Sequence, residues 1–226
     1  TYASYDLVRA YDPQDRTRRH YTIATVGEYY PDLNTKNGGY TYNVTETGYD
    51  NKCNFKKYVI GKIDDNGQSY AQSSGMNTYM MRLAEVYLIY AEACLSSQPD
   101  EAKKYINKIQ QRAGSATVSA TVDLEVLQNE KQYELWFEGC RWFDIVRWGI
   151  AKQCYDKVLD NVPYQTDEYW TSGGSRPHKL VYDIRHPYAE ANITLKFVEG
   201  KNEYWPLPQN IIEINDQIHQ VRGWAN

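Results

Sequence analysis

The sequence predicts a mainly α fold with small β-hairpins and long loops, on three observations. Between residues 78 and 151 apolar side chains recur at three- and four-residue spacing, the period of one helix face. Before and after that window the periodicity fades and Gly, Asn, Asp and Pro dominate, as in turns. The one clear alternation of period two falls in short stretches of the last third, too short for more than hairpins.

Taken in order, residues 1–77 are loop-rich. Asp12-Pro13-Gln14-Asp15 and Asn37-Gly38-Gly39 mark turns, and residues 55–63 suit a short strand. A first helix follows from residue 78, its stripe formed by Leu83, Val86, Tyr87, Tyr90, Ala91 and Cys94. Ser96 to Asp100 breaks it, and Pro99 suits the first turn of the next helix. That second helix carries Ala102, Tyr105, Ile106, Ile109 and Ala113 on one face and stops at Gly114. Thr121 or Asp123 caps a third helix through Leu124, Leu127 and Leu135, which breaks or bends near Gly139, and residues 141–151 continue as a fourth helical segment. Residues 152–226 hold loops, strands at 179–184 and 193–198, and a short helix near 210–214 behind Pro206-Leu207-Pro208. A single compact domain over 1–226 is the expected organisation, with 78–151 as its helical core.

Composition narrows the function. A formal net charge of -4 argues against a nucleic-acid partner, which demands a basic face. No run of about twenty apolar residues is present to span a bilayer as a helix. Cys53, Cys94, Cys140 and Cys154 form no CxxC pair and have no histidine at ligand spacing, so free thiols and no metal are expected. His20, His178, His186 and His219 are scattered and pair with no nearby Ser or Cys in a catalytic motif. The unusual feature is 22 Tyr against 4 Phe. Tyrosine joins a flat apolar face to a hydroxyl, so it tolerates a half-wet surface and suits sugars or peptides.

Four segments in order carry a family resemblance. They are Met81 to Ala93, Ile106 to Gly114, Glu130 to Gly149, and Tyr204 to Pro208 with Glu213 and Asn215. Together they resemble the SusD/RagB family over about residues 80–226, with Tyr11-Asp12 and Asp15-Arg16 a weaker upstream match. Lys131 and Gln110 stand where the family has arginine, and the ending His219 to Trp224 only approximates its pattern. The resemblance implies the carboxy-terminal part of a helical scaffold with tetratricopeptide-like α–α packing, the amino-terminal half being absent from this chain. It further implies a lipoprotein on the outer face of the outer membrane, lying over a SusC-like TonB-dependent transporter and holding oligosaccharide without cofactor or turnover. Starting at Thr1 without a signal peptide or lipid-attachment cysteine, the chain reads as a cut piece of something longer.

Two sets of residues compete for a functional role. Glu130, Glu134, Glu138 and Asp144 invite a glycoside-hydrolase reading, since paired carboxylates serve as acid and base. Each has a basic residue within helical reach, Glu138 with Arg141 and Asp144 with Arg141 and Arg147, which predicts structural ion pairs instead. Trp136, Trp142 and Trp148 recur every six residues, about 600° of helix, and so serve packing. The candidate ligand contacts are Tyr30, Tyr40, Tyr42, Asn43 and Tyr49 in a loop of little periodicity, with Trp170 beside Tyr164, Tyr169 and Gly173-Gly174 as a second cluster. Their rings would stack on a sugar and Asn37, Asn43 and Thr45 would bond its hydroxyls. Peptide or glycoprotein binding, or a face for the transporter, are the alternatives; whether calcium takes part is left open.

Overall fold

The structure, a computed structural model, describes residues 7, 10, 11, 17–24, 28–42, 54–60, 76–115, 118–160, 162–167, 180–185, 196–215 and 217–224, with the backbone alone at 157–160, 162–167 and 180–185. Among the described residues the helices are α1 (Arg18–Thr22), α2 (Leu83–Cys94), α3 (Pro99–Arg112), α4 (Leu124–Glu134), α5 (Arg141–Arg147), α6 (Ala151–Asp160) and α7 (Gln209–Ile214). The strands are short: β1 (Ile23–Ala24) pairs antiparallel with β4 (Asn54–Phe55), and β2 (Tyr29–Tyr30) with β3 (Tyr40–Thr41). β5 (Val162–Asp167) pairs with β6 (Leu180–Arg185).

The chain forms two compact units, Thr1–Arg141 with Pro163–Asp183, and Trp142–Val162 with Ile184–Asn226. In the first, α2, α3 and α4 share a core of Leu88, Ala91, Cys94, Ala102, Ile106, Ile109, Leu127 and Leu135. Pro99 starts α3, where its missing N–H costs nothing, and Gly114 ends it at φ 70°. Asp123 caps α4, its carboxylate accepting from the Val126 N–H at 2.9 Å. The first two boundaries lie where the sequence puts them, and Asp123 is one of the two caps it offers.

Others differ. The buried side of α2 is Leu88, Ala91 and Cys94, whereas Leu83, Val86 and Tyr90 of the expected stripe are exposed. In α4 Leu124 is likewise exposed, while Glu130, Lys131 and Glu134 are buried. The helical stretch expected over 141–151 breaks at Gly149 (φ 70°), and α6 begins beyond it. β4 covers only two residues before a turn in which Tyr58 takes φ 69°. Residues 196–198 are not a strand, and 193–195 lie outside the described residues.

In the second unit Ile145, Ala151 and Phe197 make a small core, with Trp142, Val146, Ile150, Cys154 and Tyr155 packed around it. Cys94, Cys140 and Cys154 are free thiols, and Cys53 lies outside the described residues.

Candidate functional site

The tyrosine loop of the first unit is more closed than its sequence suggests. Tyr30 is 0% exposed and Tyr42 9%, forming a small core with Ala24 and Leu33. The Tyr30 ring stacks on His20 at 4.7 Å, and its hydroxyl lies 3.1 Å from the Ile23 carbonyl and 3.0 Å from a Glu28 carboxylate oxygen. The Tyr42 hydroxyl accepts from Asn54 Nδ2 at 2.9 Å. Within β2 neighbouring side chains face opposite ways, so Tyr30 points inward while Tyr29 is exposed. Burial therefore removes Tyr30 and Tyr42 as stacking surfaces. Tyr40 is 38% exposed, and Tyr29 lies across the turn, donating to the Gly38 carbonyl at 2.5 Å. Gly39 is required there: a Cβ would sit 2.3 Å from the Tyr29 hydroxyl. Asn43, Thr45, Tyr49, Tyr169, Trp170 and Gly173-Gly174 lie outside the described residues, as does the Tyr164 side chain.

The acidic residues of the helical core form an ion-pair network. Glu134 accepts from Arg82 Nη1 and Arg112 Nη2, each at 2.5 Å, with Arg18 Nη1 at 3.6 Å. Glu130 accepts from Arg18 at 2.7 Å and from Gln110 Nε2 at 3.0 Å. Glu138 is held by Arg82 Nε at 2.7 Å and by Lys57. Its expected partner, Arg141, instead donates to Gln132 Oε1 at 3.0 Å. α4 ends at Glu134, and Glu138 sits in a turn with Phe137 (φ 67°) and Gly139 (φ 81°) before Arg141 starts α5, so three-residue spacing no longer implies contact. Asp144 does accept from Arg147, at 2.9 Å.

Electrostatics follow the geometry. Burial raises the Glu138 pKa, but hydrogen bonds from Arg82 and Lys57 outweigh it and hold the carboxyl below its ordinary value. For Glu130 burial wins over Arg18 and Gln110, and its pKa is raised. Burial pushes the Lys57 ammonium down despite Glu138. It also disfavours the Arg82 cation, yet the bond to Glu138 and the charge of Glu134 bring a net rise. Glu130 and Glu134 are both under 5% exposed, so neither presents an acid to a substrate.

A different arrangement occupies the second unit. Trp142 of α5, Tyr155 of α6, Phe197, Tyr204, Trp205 and Trp224 line an open cavity of about 510 Å³ together with Lys196, Asn202 and Pro206. Three local features build it. Val198 N–H donates to Asn202 Oδ1 at 2.6 Å, closing the turn after Phe197. Gln220 bonds both backbone groups of Leu207, which fixes the extended segment behind Tyr204 and Trp205. Trp224 Nε1 donates to the carbonyls of Lys201 (2.9 Å) and Tyr204 (3.0 Å), with the Lys201 ammonium 4.3 Å above its ring. Gly223 lets the tail reach this turn, since a Cβ would meet the Gly200 carbonyl oxygen at 2.5 Å. Tyr204 is 52% and Trp205 81% exposed, so both rings face solvent. Such a wall accepts the C–H face of a flat or ring-shaped ligand.

Periodicity had put Trp136, Trp142 and Trp148 into helix packing. Trp136 does pack, on Phe55 and Phe137 at ring separations of 4.6 and 4.7 Å. Trp148 lies under the Arg147 guanidinium at 5.3 Å. Trp142 packs against the core of Ile145, Ala151 and Phe197 and also lines the cavity. Tyr204-Trp205 was available as a signal, because two adjacent rings directly before Pro206-Leu207-Pro208 belong to no helical stripe.

Comparison with known proteins agrees with this fold. The SusD family model matches residues 3–224. A SusD-like protein of Bacteroides ovatus is 31% identical over 222 residues, covering 93% of this chain and 37% of its own length. A solved structure determined with xylogluco-oligosaccharide is 27% identical, with a TM-score of 0.69 over 94% of this chain and 44% of that one. A SusD-like protein of Bacteroides fragilis shares the fold at 20% identity, TM-score 0.69, over 99% of this chain and 47% of that one. This chain thus spans less than half the length of each of these relatives. The helical core, the four motif segments and the match from end to end agree, and the chain belongs to the SusD family.

Proposed function

We propose that this chain binds an extracellular glycan without turning it over, seating sugar rings in the aromatic cavity of the second unit. In the whole protein the captured glycan is passed to a SusC-like TonB-dependent transporter of the outer membrane, to which a lipid anchor holds it. What carries the proposal is the cavity wall of Trp142, Tyr155, Phe197, Tyr204, Trp205 and Trp224, open to solvent at Tyr204 and Trp205. A relative determined with xylogluco-oligosaccharide supports a glycan ligand. Non-catalytic binding is supported by the network at Glu130, Glu134 and Glu138, whose carboxylates are committed to cations. Tyr40 offers a separate, smaller contact in the first unit.

Titration of the 226-residue chain with neutral oligosaccharides, xyloglucan fragments among them, tests this. Removing two exposed rings in Tyr204→Ala/Trp205→Ala deletes about 2 kcal/mol of stacking, a loss of tenfold or more in affinity. The melting temperature changes little, because both rings are solvent-facing. Unaltered affinity would place the glycan elsewhere, new reducing ends would reveal a hydrolase, and binding of peptides in place of sugars would exchange the ligand class.

A further inference from the structure

We infer that the first unit carries a subsite for one oxyanion, a carboxylate or sulfate borne on a sugar ring. It is the cavity of about 240 Å³ lined by Thr17, Arg18, Tyr21, Arg82, Arg112 and Glu134. The sugar part rests on the glycan reading above; the anion part does not.

Charge is the first reason. Arg18, Lys57 and Arg82 face the cavity with Arg112, so four cations stand over the three carboxylates of the network and one positive charge is in excess. Glu134 lies at the bottom, its side chain 1% exposed and screened by three guanidiniums. Donors are the second. Arg112 is 62% exposed, and among the described residues only its Nη2 is engaged, on Glu134. Its Nε and Nη1 hydrogens make no bond among them, and the second Nη2 hydrogen completes a two-donor edge with one of them, which matches two oxygens of a carboxylate or sulfate. The third reason is the wall. Tyr21 is 55% exposed and lines the cavity, with the Lys56 ammonium 4.4 Å from its ring centroid, and Thr17 and Thr22 line the same cavity. A single acidic sugar would lay its C–H face on Tyr21 and its oxyanion on Arg112. The cavity is below the volume of sites for larger ligands, which limits it to one residue of a chain.

Binding to the unaltered 226-residue chain is measured for free glucuronate, inorganic sulfate, an oligosaccharide bearing glucuronate, and its neutral counterpart. The acidic oligosaccharide should bind about tenfold more tightly than the neutral one, an advantage that shrinks as salt rises. Arg112→Gln should remove that advantage and leave the neutral affinity unchanged, and Tyr21→Ala should weaken the acidic probe alone. Glucuronate competing where sulfate does not makes the site one for carboxylates; competition by both makes it a general oxyanion site. Equal affinity for the acidic and neutral probes, or an advantage that survives Arg112→Gln, overturns the inference. Loss of neutral binding in Tyr204→Ala/Trp205→Ala concerns the other cavity, so the two proposals fail separately.

Discussion

Glu138 shows how a single carboxylate can be charged, nearly buried and still stabilising. Its side chain is 4% exposed, and Arg82 and Lys57 hold the pKa below the ordinary value near 4.5. A depressed folded-state pKa gives stability that is complete above the unfolded pKa and is lost as pH falls through the folded one. Glu138→Gln should therefore lower the melting temperature at pH 6, with the gap to the parent closing below about pH 4.5. A gap that stays constant in melts from pH 6 to pH 3 would show that Glu138 is not the titrating group. Tyr30 makes the opposite case to an exposed ring. With no exposed surface and a stacked histidine, Tyr30→Ala should cost about 3–5 kcal/mol in denaturant unfolding. Tyr40→Ala, at a half-open rim, should cost under about 1 kcal/mol.

At the scale of an element, α2 has apolar residues on most of its circumference, Leu83, Val86, Tyr87, Leu88, Ile89 and Tyr90 among them. A helix apolar nearly all round has no unique stripe, so periodicity locates the helix but not its inward face. Packing against α3 selects Leu88 together with Ala91 and Cys94 of the expected stripe, and leaves its other side, Val86 and Tyr90, exposed. Leu88→Ala should cost about 2–5 kcal/mol while Leu83→Ala, at 62% exposure, stays within about 1 kcal/mol, as read from chemical unfolding. α3 has polar residues to contrast with its stripe, and there Ala102, Ile106, Ile109 and Ala113 are all buried. The break between α4 and α5 is likewise local, with Phe137 and Gly139 at positive φ in the turn that joins them.

At the scale of the molecule, segments far apart in sequence are tied by charge. Arg18, 112 residues from Glu130, bonds it at 2.7 Å with both side chains under 10% exposed. Removing one partner leaves the other charge buried and unpaired, so Arg18→Met should destabilise by about 3–5 kcal/mol in chemical unfolding. Arg18→Met with Glu130→Leu should recover part of that loss, and failure to recover would mean that the pair acts through packing. By itself the sequence determined the mainly helical class, the helix boundaries at Pro99 and Gly114, and the family, because each rests on runs of residues local in the chain. Only the tertiary structure decided which cations meet Glu134 and Glu138, which tyrosines are buried, and that Trp142, Trp205 and Trp224 share one cavity. Partners brought together across more than fifty residues leave no local period to read, since folding, and not spacing, sets their distance.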